Sequence, residues 1–269
     1  MPWITFLGIS IITGETQKFL KYVDRLKLNG YFCKLFLVKG QLQATAASNR
    51  VKHIEMNTIT LHNTLPAVFA GRGDTGSSIW LREVTFERGK HYLISAESGT
   101  GKSSLCSYIY GYRIDYSGTI AFDGRDIKTL SVAEWCTIRT HHIAYLAQDM
   151  RLFPELTAME NIMLKNSITH HKSEQEIVAM MEQLGIGEKV NSPVAKLSIG
   201  QQQRVAIVRT LCQPCDFILL DEPVSHLDDA NNQIVAQMVT REAQAQGAGI
   251  ISTSVGNNVR INVDKEFKL

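Results

Sequence analysis

One run of seven residues, Ser98-Gly99-Thr100-Gly101-Lys102-Ser103-Ser104, constrains this chain more than any other feature. It follows a strand-like apolar stretch at 91–96 and opens a helical pattern at 102–110. A glycine-rich turn in that setting is a phosphate-binding loop. Gly99 and Gly101 let backbone N–H groups curl around an anion, and the helix N-terminus adds its partial positive charge. Lys102 is placed to reach β- and γ-phosphates, and the Ser103 hydroxyl to ligate Mg2+. Ser98, Thr100 and Ser104 complete the candidate cradle, Ser104 in a supporting or helical role. Where such loops have their first glycine, Ala96 stands.

A second element complements the loop. Residues 217–220 are a continuous apolar run that ends in Asp221 and Glu222. Such a run reads as a parallel strand buried on both faces, so its terminal acids fall at the crevice where ligands bind. Asp221 suits the shell of a divalent cation, through water. Glu222 suits the polarising of an attacking water, help worth about 10²–10⁴-fold in rate. Alone, two acids that close a strand and cap the next turn mean little; with the loop they point to phosphate chemistry.

Between and around these elements, strands alternate with helices, which predicts an α/β fold. Strands are expected at 58–61, 81–86, 91–96, 119–122, 217–220 and, last, 249–253. Helices are expected at 102–110 and 228–246. Three more begin at S/T-x-x-E capping boxes, Ser131/Glu134, Thr157/Glu160 and Ser173/Glu176.

The chain of 269 residues is long enough for one or two domains. With 44% apolar and 20% charged residues it is neither disordered nor fibrous. The net charge of +2 is unevenly split: residues 1–55 carry +5 and residues 56–269 carry −3. The body is therefore slightly acidic, and no nucleic-acid partner is expected. No apolar run reaches the roughly 18 residues of a membrane-spanning helix, and the apolar stretch 3–12 lacks the features of a signal peptide. Five cysteines form no disulfide framework, which favours a reducing compartment. Cys212 and Cys215 form a C-x-x-C without the second pair that a zinc site needs.

Residues 1–55 read differently from the rest. Phe19, Tyr22, Val23 and Leu26 follow helical spacing with Lys18, Lys21, Arg25 and Lys27 between them, and Asn29-Gly30 is a stop signal. A strand at 31–38 is expected next. One reading is a basic amphipathic helix on a membrane surface. The favoured reading is an appendage outside the fold, or sequence upstream of a start at Met56.

A third motif separates this chain from other phosphate-loop proteins. Leu197-Ser198-Ile199-Gly200-Gln201-Gln202-Gln203-Arg204 resembles the signature motif of ABC-type ATPases, and 119 residues separate Lys102 from Asp221. Residues 56–269 look like one nucleotide-binding domain of that family. The resemblance implies a P-loop NTPase with a RecA-like core, an antiparallel β subdomain and an inserted helical subdomain at about 149–196. It places Gln148, after the apolar stretch 143–147, at the Q-loop, as a catalytic and Mg2+-shell residue. It places Asp228, in Ser225-His226-Leu227-Asp228, at the D-loop. Phe69, 33 residues before Lys102, stands where the family carries an aromatic that stacks on adenine. The stretches 153–162 and 201–211 look closest to ATPases of the lipoprotein-export, macrolide-export and cell-division group.

Ser198, Gly200 and Gln201 open a helix and form an anion site, while Val205, Val208 and Leu211 give that helix a core face. The resemblance implies two copies, or a paired ABC ATPase, closing head to tail on ATP and Mg2+. Each ATP then lies between one protomer's loop and the other's signature. It implies a transmembrane permease partner and a peripheral place on the cytoplasmic face of the membrane. Met150, Leu152 and Phe153 either receive a helix of that partner or simply pack under their loop.

Two departures weigh on turnover. Ile199 stands where the family has glycine, adding a β-branched side chain near the γ-phosphate. The switch histidine, due after strand 249–253, is Ser254, which can donate a hydrogen bond but cannot carry positive charge. The first reading is an ATPase with Glu222, Gln148 and Ser254 as catalytic residues. The alternative is a regulatory ATP-binding clamp with weak or no hydrolysis. A third reading, a soluble ABC protein of DNA repair or translation, lacks visible coiled coils, zinc modules or a second cassette. His141, His142, His170 and His171 are expected to be solvated loop residues.

Overall fold

The computed structural model describes residues 55–71, 76–97 and 99–269. The helix and strand expected in 1–55, and Ser98, lie outside the described residues.

The chain is α/β, with two sheets. An antiparallel sheet has the order β2-β1-β4-β5, from β1 (Thr58–Pro66), β2 (Glu83–Glu87), β4 (Tyr116–Phe122) and β5 (Arg125–Asp126). Its strands alternate, as in β2, where Val84 and Phe86 are buried between exposed Glu83, Thr85 and Glu87. That alternation marks a sheet with one wet face.

The second sheet is parallel, in the order β6-β7-β8-β3-β9. It comprises β3 (His91–Ser95), β6 (Ile143–Leu146), β7 (Phe217–Asp221), β8 (Gly249–Ser254) and β9 (Lys265–Lys268). All five residues of β7 are buried, because both faces of the strand are covered. Phe217 and Leu219 join the core against α1 (Lys102–Ile109) and the antiparallel sheet. Ile218 and Leu220 point into the core of the helices α3 (Ala158–Thr169), α4 (Glu174–Gln183), α5 (Ile199–Leu211) and α6 (Asp229–Gln246). Strand β9 corrects the expectation that 249–253 closes the sheet. Its sequence, Lys-Glu-Phe-Lys, buries only Phe267 and so carries little apolar signal.

The three expected capping boxes form, each with both reciprocal bonds, at the starts of α2 (Val132–Thr137), α3 and α4. Ser198 and Gln201 make a fourth, at the start of α5. Asp228 caps α6 by accepting the Asn231 N–H at 2.8 Å. That bond and one from the Asn231 side chain hold the Asp228 carboxyl below its usual range.

One expectation about side chains needs correction, and one open alternative narrows. His142 is not a solvated loop residue: it is 13% exposed and bonds the buried Asp216 at 2.6 Å. Of the two readings of Met150, Leu152 and Phe153, packing under the loop fits the first two: Met150 is buried in the helical core, and Leu152 packs on that core. Cys212 and Cys215 are buried too, and burial pushes both thiols up to about 12.

Candidate functional site

The candidate site forms at the carboxyl ends of β3, β6, β7 and β8, where parallel sheets present their ligands. Lys102 opens α1, after Gly101 in a left-handed conformation with φ 102°. A side chain at Gly101 would strain that backbone, and its Cβ would lie 3.1 Å from the Trp80 ring and 3.2 Å from the Phe69 ring. The predicted base-stacking Phe69 therefore sits directly beside the loop. Trp80 is a residue that sequence reasoning missed. Its indole N–H donates to the Thr100 carbonyl at 3.1 Å, tying the loop to the antiparallel sheet side.

Lys102 is 5% exposed. Its Nζ donates to the Glu97 carbonyl at 2.8 Å and the Ala96 carbonyl at 3.3 Å, and lies 3.8 Å from Glu222 Oε1. The other oxygen, Glu222 Oε2, accepts the Gln148 amide at 3.2 Å. Gln148 Oε1 in turn accepts the Ser103 hydroxyl at 3.3 Å. Four residues from three distant stretches of sequence thus close into one ring. The hydroxyl of Ser104 is bonded instead to Arg113, at 2.9 Å.

Asp221 ends β7 at 2% exposure. Its Oδ1 accepts the Thr253 hydroxyl at 2.8 Å, and Oδ2 makes no hydrogen bond among the described residues. Glu222 follows with φ 51°, a left-handed conformation that costs a side-chain-bearing residue about 1–3 kcal/mol. Its backbone is held from two sides. The N–H donates to Thr253 Oγ1 at 3.3 Å, and the carbonyl accepts from the Gln203 amide at 3.2 Å.

Gln203 is a second residue that sequence reasoning left inside a motif without a role. It is 3% exposed, bonds Ser225 Oγ at 3.3 Å, and accepts the His226 N–H at 3.1 Å. The signature helix is thereby pinned to the turn after β7. Gly200 makes the close approach possible: a Cβ there would lie 2.9 Å from the His226 carbonyl oxygen. Ser198, Gly200 and Gln201 have no hydrogen bond to the phosphate loop among the described residues, and Ile199 is 49% exposed beside them. Ser254, which the sequence puts where a switch histidine is expected, is 1% exposed, and its hydroxyl has no partner among the described residues.

The loop after β6 is held from behind. Met150 and Arg151 both have positive φ, 56° and 49°, and their carbonyls accept from the Arg209 guanidinium. Burial brings Arg209 down to about 10. The side chain of Asn161 both accepts from and donates to the Phe153 backbone, at 2.8 and 3.0 Å.

A parallel sheet, a lysine-bearing glycine loop at its edge, a buried aspartate and a neighbouring glutamate define a P-loop NTPase. The family model described as ABC transporter matches residues 82–225, more than half of the chain, and the chain belongs to that family. It is 30% identical over 190 residues to the lipoprotein-releasing system ATP-binding protein LolD of Shewanella frigidimarina, covering 70% of this chain and 80% of that one. It is 27% identical over 217 residues to the uncharacterized ABC transporter ATP-binding protein YbbA of Escherichia coli, covering 79% and 94%. Among solved structures, the dimeric bacterial ABC transporter cassette MJ0796 matches with a TM-score of 0.62 at 25% identity, over 72% of this chain and 87% of that one. The same cassette in a dimeric post-hydrolysis state, bound to ADP and Pi, matches with a TM-score of 0.59 at 25% identity, over 74% and 88%. The chain is thus an ABC transporter ATP-binding cassette, of a family of ATPases whose structural neighbours are dimers. Among the described residues no helix is long and apolar enough to cross a membrane.

Proposed function

We propose that this chain is the ATP-hydrolysing subunit of an ABC transporter, closing as a dimer on MgATP to drive a separate transmembrane permease. The observation that carries the reading is the ring Lys102–Glu222–Gln148–Ser103, with Asp221 alongside. Lys102 and the N–H groups of Gly99 to Ser103 hold the β- and γ-phosphates, with Ser104 at the rim of the cradle; the sequence adds Ser98 to the same loop. Phe69 stacks on the base.

Ser103 Oγ, Gln148 Oε1 and the unbonded Asp221 Oδ2 are hard oxygen donors, the set that Mg2+ prefers. Bound there, Mg2+ neutralises charge on the β- and γ-phosphate oxygens. Glu222 takes the proton of the attacking water as its oxygen bonds the γ-phosphorus and the bond to the β–γ bridging oxygen breaks. Gln148 orients that water, and Ser254 donates to the γ-phosphate. Ser198, Gly200 and Gln201 of one protomer cap the ATP held by the other, with Asp228 beside the seam. The names of the similar proteins support a permease partner, a place on the cytoplasmic face of the membrane, and kinship with the lipoprotein-release type. The division at 56 into extension and cassette, and the helical subdomain at about 149–196, belong to the same reading.

A regulatory clamp with little turnover is the second reading, favoured by the Ser254 hydroxyl, which has no partner among the described residues. Single-turnover ATP cleavage, measured with the membrane partner present, separates the two. Phosphate release well above that of E222Q supports hydrolysis; release no greater than E222Q makes the chain a clamp.

A further inference from the structure

The two acids at the end of β7 share one neutral neighbour. Strand β8 runs parallel to β7 with Thr253 opposite Asp221. The Thr253 hydroxyl donates to Asp221 Oδ1 at 2.8 Å, and the hydroxyl oxygen accepts the Glu222 N–H at 3.3 Å. Thr253 is 1% exposed, so water does not compete for either bond. The adjacent hydroxyl, Ser254 Oγ, is equally buried and bonds nothing among the described residues. Of two neighbouring hydroxyls on one strand, only the first is wired to the acids.

We propose that Thr253 is a positioning residue that sets both acids for nucleotide chemistry. A carboxylate can turn about its last torsion and exchange its two oxygens. A fixed donor on Oδ1 stops that exchange and leaves Oδ2 as the oxygen offered to a divalent cation. The same hydroxyl anchors the left-handed turn through which Glu222 reaches Lys102 and Gln148. No charge is introduced, so Thr253 acts only through geometry. The inference rests on the reading in which Asp221 serves the cation and Glu222 the water.

Valine matches threonine in shape and lacks the hydroxyl, so T253V leaves Asp221 Oδ1 buried and unbonded while β8 keeps its packing. T253S restores the hydroxyl. The full chain is titrated with trinitrophenyl-ATP at a series of Mg2+ concentrations and without Mg2+. A hydrogen bond to a charged group is worth about ten- to a hundred-fold in an equilibrium constant. T253V is expected to need that much more Mg2+ for half-maximal binding, with metal-free binding unchanged, and T253S is expected to return to the parent curve. A purely structural role for Thr253 lowers the melting temperature and leaves the Mg2+ requirement alone; that result overturns the proposal. So does a T253S curve as shifted as that of T253V, which assigns the effect to packing. If T253V does not fold by circular dichroism, T253A against T253S makes the same comparison. A parent protein without any Mg2+-dependent nucleotide binding defeats the underlying reading, and this inference falls with it.

Discussion

Lys102 and Glu222 face each other across 3.8 Å, with side chains only 5% and 16% exposed. The lysine expected to hold phosphate is paired, before any nucleotide arrives, with the carboxylate expected to activate water. A γ-phosphate placed against Lys102 must displace that carboxylate. E222Q removes the competing charge and is expected to bind ATP about tenfold more tightly than the parent, the scale of one charge-assisted hydrogen bond. K102A is expected to lose binding altogether. Isothermal titration of each variant checks both outcomes; unchanged affinity in K102A would refute the phosphate-loop assignment.

The contact between Gly200 and the His226 carbonyl makes the signature helix sensitive to a single methyl. G200A puts a Cβ 2.9 Å from a backbone oxygen, so the main chain itself must shift to admit it. It is expected to cost about 1–3 kcal/mol of stability, as overpacking does, and to weaken ATP-driven dimerisation in light scattering. Q203L tests the neighbouring link. It takes the Gln203 amide away from the Glu222 carbonyl, which keeps the Ser225 N–H at 3.4 Å, and leaves the half-buried His226 N–H without that partner, a loss of about 1 kcal/mol. Its single-turnover rate is expected to fall while ATP affinity holds; an unchanged rate would show that the Glu222 turn is set without Gln203.

Ser254 offers a test in the opposite direction. Its hydroxyl is buried without a partner among the described residues, so a side chain able to donate and carry charge replaces a group that bonds none of them. S254H is expected to raise the cleavage rate by at least about tenfold, the lower range of general acid–base assistance being near 10². Quenched-flow phosphate release at saturating MgATP reads it. An unaltered rate would mean that the serine hydroxyl already suffices or that another group serves.

Some of this site was legible in the sequence because it is local. The phosphate loop, the apolar strand ending in two acids, and the capping boxes are each a few consecutive residues whose chemistry and spacing belong together. Most of the misses are pairings between separate segments. Trp80 meets Thr100, Gln203 meets Glu222, Thr253 meets Asp221, and His142 meets Asp216. Nothing in the neighbours of any of these residues marks its partner; only the packing of loops, helices and strands in the folded chain brings them together. Strand β9 was missed for a different reason: one buried residue in four makes no pattern.

Lys165, on α3, gives a prediction in pH. Its ammonium donates to the Arg139 carbonyl at 3.0 Å. Burial first, and the Arg209 charge second, bring its pKa down to about 8. Unfolded, a lysine keeps its proton to about 10.4. Between those values the unfolded chain holds one more proton than the folded one, so this group makes stability rise with pH through that window. Below about pH 8 both states are protonated, and the contribution stops changing. K165M should lower the slope of unfolding free energy against pH from 8 to 10 by up to about 1.4 kcal/mol per unit. Urea denaturation at pH 8, 9 and 10 measures it; parallel curves for parent and variant would show that Lys165 stays charged when folded.

A chain beginning at Met56 tests how the cassette is bounded. Met56 is 5% exposed, and its backbone nitrogen donates to Asp216 Oδ2 at 2.9 Å. Asp216 also bonds His142, and Arg88 lies 3.3 Å from its other oxygen. Removing residues 1–55 turns that N–H into an ammonium, which still donates and now also pairs with the carboxylate. What is lost among the described residues is the ion pair of Arg88 with Glu55, whose side chain is 57% exposed, and the exposed bond from the Asn57 amide to the Glu55 carbonyl at 3.4 Å; such a surface ion pair is worth about 0–1 kcal/mol. The basic segment carries +5 and none of the residues that meet at the site. The truncated chain is therefore expected to bind ATP as the parent does and to unfold at nearly the same urea concentration. Loss of ATP binding on truncation would make residues 1–55 part of the nucleotide-binding unit and move its boundary upstream.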